Sequence, residues 1–160
     1  KDIEFEFPMS CAMGLVWRWT QNLYSTLDLG FTQWSEFSYK AAGETRINPM
    51  SGKPHSEDPL DDTWSTRTGL EYLVNTEARV IPVRGGLGWE ERPSIDGTDD
   101  YFTFSLGSGF PVGGAAREVF IDVVYAFTYA NDVRGFVPLQ TDLNTDVTEH
   151  QAYVSLLKHF

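Results

Sequence analysis

Apolar and polar residues alternate with period two along almost the whole chain, and nowhere is the 3.6-residue period of an amphipathic helix sustained. Successive side chains of a β-strand point to opposite faces, so this pattern confines the chain to strands with two unlike faces. Seven runs carry it. Residues 9–20 set Met9, Cys11, Met13, Leu15, Trp17 and Trp19 against Ser10, Ala12, Gly14, Val16, Arg18 and Thr20. Residues 23–39 set Leu27, Leu29, Phe31 and Phe37 against Thr26, Asp28, Gly30 and Thr32. Residues 63–74 oppose Trp64, Leu70, Tyr72 and Val74 to Ser65, Arg67, Gly69 and Glu71. Residues 79–91 oppose Ile81, Val83, Leu87 and Trp89 to Arg84, Gly86, Gly88 and Glu90. Residues 100–110 and 117–130 continue with Phe102, Phe104, Leu106, Phe110, Val119, Ile121, Val123, Tyr125, Phe127 and Tyr129 on the apolar face, and with Asp122 and small residues opposite. The last run, 148–160, places Ala152, Val154, Leu156, Lys158 and Phe160 on one face and Gln151, Tyr153, Ser155, Leu157 and His159 on the other.

The connections alternate in length. Gln21-Asn22 reads as a tight hairpin turn, 75–78 and 111–116 as short turns, 92–99 as a medium loop, and 40–62 and 131–146 as long polar loops. In an up-and-down meander every second connection shares a side, so the short turns lie together with Phe160 and the longer loops lie opposite. Short turns on one side and longer loops on the other are the pattern of outer-membrane β-barrels. A terminal aromatic closing a strand belongs to the same pattern, and Phe160 is expected to serve as a C-terminal assembly signal.

The alternation alone does not say which face is outside, since a soluble barrel encloses its apolar face. Three features favour apolar-out: the loop asymmetry with its terminal Phe, the composition of the polar face, and the placement of the aromatics. The polar face is Gly, Ser and Thr with isolated charges, unlike a solvated Lys/Glu-rich surface. Trp17, Trp19, Trp64, Tyr72, Trp89 and Tyr129 lie near strand ends, where membrane-interface aromatics belong. The polar face then lines a lumen, and Arg18, Asp28, Arg67, Glu71, Arg84, Glu90 and Asp122 form its charge network. Near-balance of sign is expected to produce cross-strand pairs that stiffen the wall.

Composition excludes several classes. A net charge of −11 argues against nucleic acid and anionic surfaces as partners. No run reaches the roughly 20 apolar residues of a transmembrane helix. The mean hydropathy of −0.29 leaves a membrane barrel open, because only alternate residues face lipid. A single cysteine rules out an intrachain disulfide. Lys1-Asp2-Ile3-Glu4 is no signal-peptide core, so a removed signal or a longer parent chain is expected. Chemistry finds little support. His55, His150 and His159 have no Ser or Asp partner at catalytic spacing, and Cys11 falls on the apolar face. Asp96, Asp99 and Asp100 lack the spacing of a calcium loop, and Gly85-Gly86-x-Gly88 lies mid-strand and opens no helix. The expectation is a protein without enzymatic activity, cofactor or metal.

Taken in order, several segments resemble the FadL family of outer-membrane transporters for long-chain fatty acids and other hydrophobic compounds. They are Phe5-Glu6-Phe7-Pro8 leading to Val16-Trp17-Arg18-Trp19, then Thr32-Gln33-Trp34-Ser35-Glu36-Phe37, then Asp61-Asp62-Thr63-Trp64-Ser65-Thr66-Arg67-Thr68-Gly69-Leu70-Glu71-Tyr72. Val83-Arg84-Gly85-Gly86-Leu87-Gly88-Trp89, running on to Pro93, follows, and Asp99-Asp100-Tyr101 stands where the family often has Asp-x-Asp-Arg. The resemblance implies a fourteen-stranded antiparallel up-and-down transmembrane barrel in the bacterial (Gram-negative) outer membrane. This chain, residues 1–160, would supply about seven strands as the C-terminal part of that one domain. It implies passive transport of hydrophobic molecules, with outer-membrane lipid, a hydrophobic small-molecule substrate and the barrel-assembly machinery as partners. The family's hatch and lateral opening fall outside the matching half, so no ligand-binding residue carries over.

Strand parity agrees. Ile3, Phe5 and Phe7 continue the odd-position pattern into Met9, so residues 2–8 are expected to extend the first strand, leaving an odd number of strands. Bacterial barrels have an even number. Two rivals stay open: a non-transporting barrel whose loops 40–62 and 131–146 bind a partner, and a soluble ligand-binding β-barrel.

Overall fold

The computed structural model describes residues 3–41, 43, 45–57, 60–77, 79–94, 97–112, 119–134 and 144–158. The chain is all-β. Among the described residues nine strands follow one another: β1 (Ile3–Glu6), β2 (Ser10–Arg18), β3 (Leu23–Thr32), β4 (Ser38–Ala41), β5 (Thr63–Asn75), β6 (Val80–Ser94), β7 (Gly97–Val112), β8 (Val119–Arg134) and β9 (Asn144–Lys158). Among the same residues a single 3-10 turn, Trp34–Glu36, interrupts them. Among the described residues no helix is long and apolar enough to cross a membrane. Seven strands form one antiparallel meander in the order β2-β3-β5-β6-β7-β8-β9, each paired with its neighbour in sequence. The sheet is open, with β2 and β9 at its edges.

The register keeps the two faces unmixed across all seven strands. Gly14 pairs with Asp28, Asp28 with Arg67, and Arg67 with Gly88. From there Gly88 pairs with Thr103, Thr103 with Thr128, and Thr128 with Glu149. Every residue in that row is polar or glycine. One residue along in the alternation, Trp89 pairs with Phe102 and Phe102 with Tyr129.

Burial is inverted relative to a water-soluble sheet. The described residues bury only three hydrophobic side chains, those of Leu60, Tyr101 and Ala130. Tyr101 and Ala130 lie on the polar face of the sheet, at 8% and 1% exposure, together with Thr128 at 5%. On the apolar face Leu106 is 70% exposed, Leu156 67% and Trp17 64%. At the edges both faces are open, as with Val16 on β2 and Tyr153 on β9. Side chains that shield one another without a packed core belong on the inside of a curved sheet, so the sheet curls toward its polar face.

Four expectations need correction. Residues 3–8 of the expected 2–8 extension do not prolong the first strand, and Asp2 lies outside the described residues: the ladder stops at 7–9, and β1 pairs separately with β4, Glu6 opposite Ser38. The run 23–39 is not one strand, because the 3-10 turn follows Thr32. Five residues, 33–37, then face three, 7–9, and a regular ladder cannot absorb the excess. In the expected 92–99 loop, residues 92–94 and 97–99 are ladder instead, since Arg92 pairs with Asp99 and Ser94 with Gly97. The 131–146 segment is likewise partly ladder, with Val133 opposite Thr145 beyond a bulge. These hairpins continue past the point where Pro93 and a cluster of polar residues signalled a loop. Pro93, though it has no N–H, is tolerated within the β6–β7 ladder.

Candidate functional site

The polar face carries two ion-pair clusters. In the first, the Arg84 guanidinium on β6 donates from Nε to Glu71 Oε2 on β5 at 2.5 Å, and from Nη1 to Asp122 Oδ1 on β8 at 2.5 Å. In the second, Arg67 on β5 donates to Glu90 Oε2 at 3.0 Å, while Arg92 donates from Nε to Glu90 Oε1 at 2.7 Å and from Nη1 to Glu149 Oε1 on β9 at 3.0 Å. The Arg92 guanidinium also sits over the ring of Tyr101, 3.9 Å from its centroid. A hollow on this face is lined by Arg67, Glu90, Arg92, Thr103, Thr128 and Glu149, among others. Thr103 and Thr128 join hydroxyl to hydroxyl at 2.7 Å.

Glycine and serine make room for these side chains. Gly14, Gly30, Gly69, Gly86, Gly88, Gly107 and Gly109 all fall on the polar face. A Cβ at Gly109 would lie 2.6 Å from Asp122 Oδ1, the atom that receives Arg84. Gly85, on the apolar face, would meet nothing nearer than Leu106 Cδ2 at 3.7 Å.

Of the seven charges expected in the network, Arg67, Glu71, Arg84, Glu90 and Asp122 are joined in ion pairs. Arg18 and Asp28 are not. Arg18 donates to the carbonyls of Thr20 and Gln21 at the β2–β3 turn and lies 5.4 Å from the Tyr24 ring centroid. Asp28 stands in register with Arg67 but forms no ion pair among the described residues, because Arg67 turns to Glu90. Arg92 and Glu149 were missed. Arg92 shares the parity of Glu90, and Glu149 that of Gln151, so the alternation held the signal. Pro93 masked it for Arg92.

The six aromatics expected near strand ends all lie on the apolar face, in two groups. Trp17, Trp19 and Tyr72 stand toward the short turns, where Trp19 donates its indole N–H to Ser25 Oγ at 2.9 Å. Trp64, Trp89 and Tyr129 stand toward the longer connections. Trp89 donates to Asp100 Oδ1 at 2.8 Å, the Trp64 backbone N–H donates to Glu91 Oε2 at 2.8 Å, and Tyr129 stacks on Phe102 at 5.5 Å. On β5, Tyr72 follows Trp64 by eight positions.

The remaining candidates fall apart in space. Cys11 is exposed on the apolar face of β2. His55 Nε2 lies 2.7 Å from the Ser35 carbonyl in the 33–62 connection, and His150 Nδ1 lies 2.6 Å from the Tyr125 hydroxyl on the apolar face. Among the described residues no cluster of His, Cys, Asp and Glu could hold a metal ion. Asp99 and Asp100 alternate faces on β7. Asp96, His159 and Phe160 lie outside the described residues. Compared with known proteins, the chain matches no family model, no curated protein and no solved structure.

Proposed function

We propose that this sheet is part of the wall of a bacterial outer-membrane β-barrel of the FadL type, and that the whole barrel passes long-chain fatty acids or other hydrophobic molecules by passive diffusion. The observation that carries the reading is the inverted burial: apolar side chains across seven strands face outward, while ion pairs and small residues fill the inside of the curve. In water each exposed Å² of apolar surface costs about 25 cal/mol, and a soluble monomer rarely exposes a contiguous apolar patch beyond roughly 600 Å². A hydrocarbon solvent removes that cost. The aromatic spacing fits the same environment. Eight residues on β5 span about 26 Å along the strand, or roughly 20 Å along the membrane normal at a tilt of about 40°, close to the apolar band of outer-membrane barrels.

In this reading Trp17, Trp19, Trp64, Tyr72, Trp89 and Tyr129 stand at the two interfaces. Arg67, Glu71, Arg84, Glu90 and Asp122 line the interior. The unpaired edges of β2 and β9 pair with further strands of the whole protein, since an open sheet exposes unpaired backbone donors and acceptors. Passage is driven by the concentration gradient and the chain's own residues supply only the wall.

The test uses cells that make the whole protein and cells from which its gene is deleted. Labelled long-chain fatty acid or hydrocarbon should enter the former faster. Equal uptake by both sinks the transport claim and favours a barrel whose outer loops bind a partner. Recovery of the whole protein as a soluble monomer without detergent sinks the membrane reading itself.

A further inference from the structure

Arg92 and Glu149 belong to strands that are not neighbours. Between β6 and β9 lie β7 and β8. The register row through Glu149 runs by Thr128 and Thr103 to Gly88, four residues along β6 from Arg92. On a flat sheet three strand spacings of about 4.8 Å and four residue rises of about 3.3 Å would set the two Cα atoms about 20 Å apart. An extended arginine and an extended glutamate cannot bridge that gap, yet Nη1 and Oε1 are 3.0 Å apart. The contact exists only because the sheet is curled.

The crossing is built for. Arg92 is held from one side by Glu90 on its own strand, and Tyr101 of β7 lies beneath it as a floor. Glu90 in turn holds Arg67 of β5, so one chain of contacts runs from β5 to β9. Toward the other end of the same face, Arg84 skips β7 to reach Asp122 on β8, and there β7 carries glycine at 107 and 109 beneath the crossing. Backbone ladders alone do not set how sharply a sheet bends, since each pair tolerates a range of twist. Contacts between non-neighbouring strands do, because they shorten the chord.

We propose that Arg92 is the centre of a strap that sets the curvature of the sheet and draws β9 inward, so that its free edge is presented for barrel closure. The proposal rests on the barrel reading above. It assigns Arg92 and Glu149 a positioning role in assembly, separate from any contact with a transported molecule. An ion pair between adjacent strands, such as Arg67–Glu90, stiffens the wall without setting its bend.

The experiment refolds the whole protein from urea into phospholipid vesicles and follows the appearance of the heat-modifiable, closed form on unboiled gels. Arg92→Met and Glu149→Gln should slow closure about tenfold, because they remove a contact formed before closure. Arg67→Met should stay within about twofold of the parent, as expected for an exposed adjacent pair. Wild-type closure rates for Arg92→Met and Glu149→Gln would overturn the strap. If Arg92→Met yields no folded protein, Arg92→Lys decides. Lys keeps the charge but loses the fork that holds two carboxylates, so it should close more slowly than Arg67→Met, and equal rates would overturn the strap. Absence of a heat-modifiable form in the parent protein would instead remove the barrel reading, and the strap with it.

Discussion

Arg84 meets two carboxylates from two other strands, whereas Arg18 meets two carbonyls of its own turn and the ring of Tyr24. Removing the first guanidinium leaves Glu71 and Asp122 facing each other without a cation. Arg84→Met should therefore lower the unfolding free energy of the whole protein by about 1–3 kcal/mol. Arg18→Met should change it by less than about 0.5 kcal/mol, because water reaches the freed carbonyls. Denaturant titration of both variants checks the difference. Gly109 makes a second contrast. Its missing Cβ is the space that Asp122 and Phe120 use, so Gly109→Ala should cost about 1–3 kcal/mol, and Gly85→Ala on the open face should cost less than about 0.5 kcal/mol. At this scale the sequence showed which charges share a face and not which ones touch. Parity assigns a side, but contact depends on register and on bend. Asp28 and Arg67 are register partners yet form no ion pair among the described residues, while Arg92 and Glu149 form one across two intervening strands.

Strand existence was legible because each run of seven or more alternating residues has one two-faced solution. Strand ends were less so. β6 through β9 are 15 or 16 residues long, against 9 and 10 for β2 and β3, and the extra length lies at the ends opposite the 19–22 and 76–79 turns. Pro93 and the polar residues of 131–146 read as loop because turn composition is shared by loops and by hairpin ends that stand in water. The break between β1 and β2 was hidden for the opposite reason: Ile3, Phe5, Phe7 and Met9 keep strict parity through a ladder that stops. A pattern of side chains cannot show that the partner segment carries two surplus residues. The proposed sidedness of the strands yields a direct prediction. Leu106 lies midway between Phe102 and Phe110 on the apolar face of β7, and Gln151 lies on the polar face of β9. Leu106→Arg should destabilise the folded protein in vesicles by about 2–4 kcal/mol, the cost of a cation at the bilayer midplane, while Gln151→Arg should cost under about 1 kcal/mol. Equal costs would contradict apolar-out.

For the whole molecule, the edges of β2 and β9 are open, and in the proposed barrel they have to be paired by further strands. Phe160 lies outside the described residues, and in the sequence it continues the alternation of Ala152, Val154 and Leu156. As the proposed assembly signal, Phe160→Ala should lower the amount of whole protein in the outer membrane more than substitutions in the 45–57 connection do. Unchanged levels on immunoblots of membrane fractions would remove that role. By itself the sequence determined an all-β chain of seven two-faced strands, their order as a meander, and the membership of each face. It could do so because period two is a local property of the backbone that any strand must obey. Only the tertiary structure decided that the polar face is the inner one, that β1 and β4 stand apart, and that Arg92 reaches Glu149. The first and last depend on the direction in which the sheet curls, and the second on five residues that face three; each is a relation between segments distant in the chain, which no local period records.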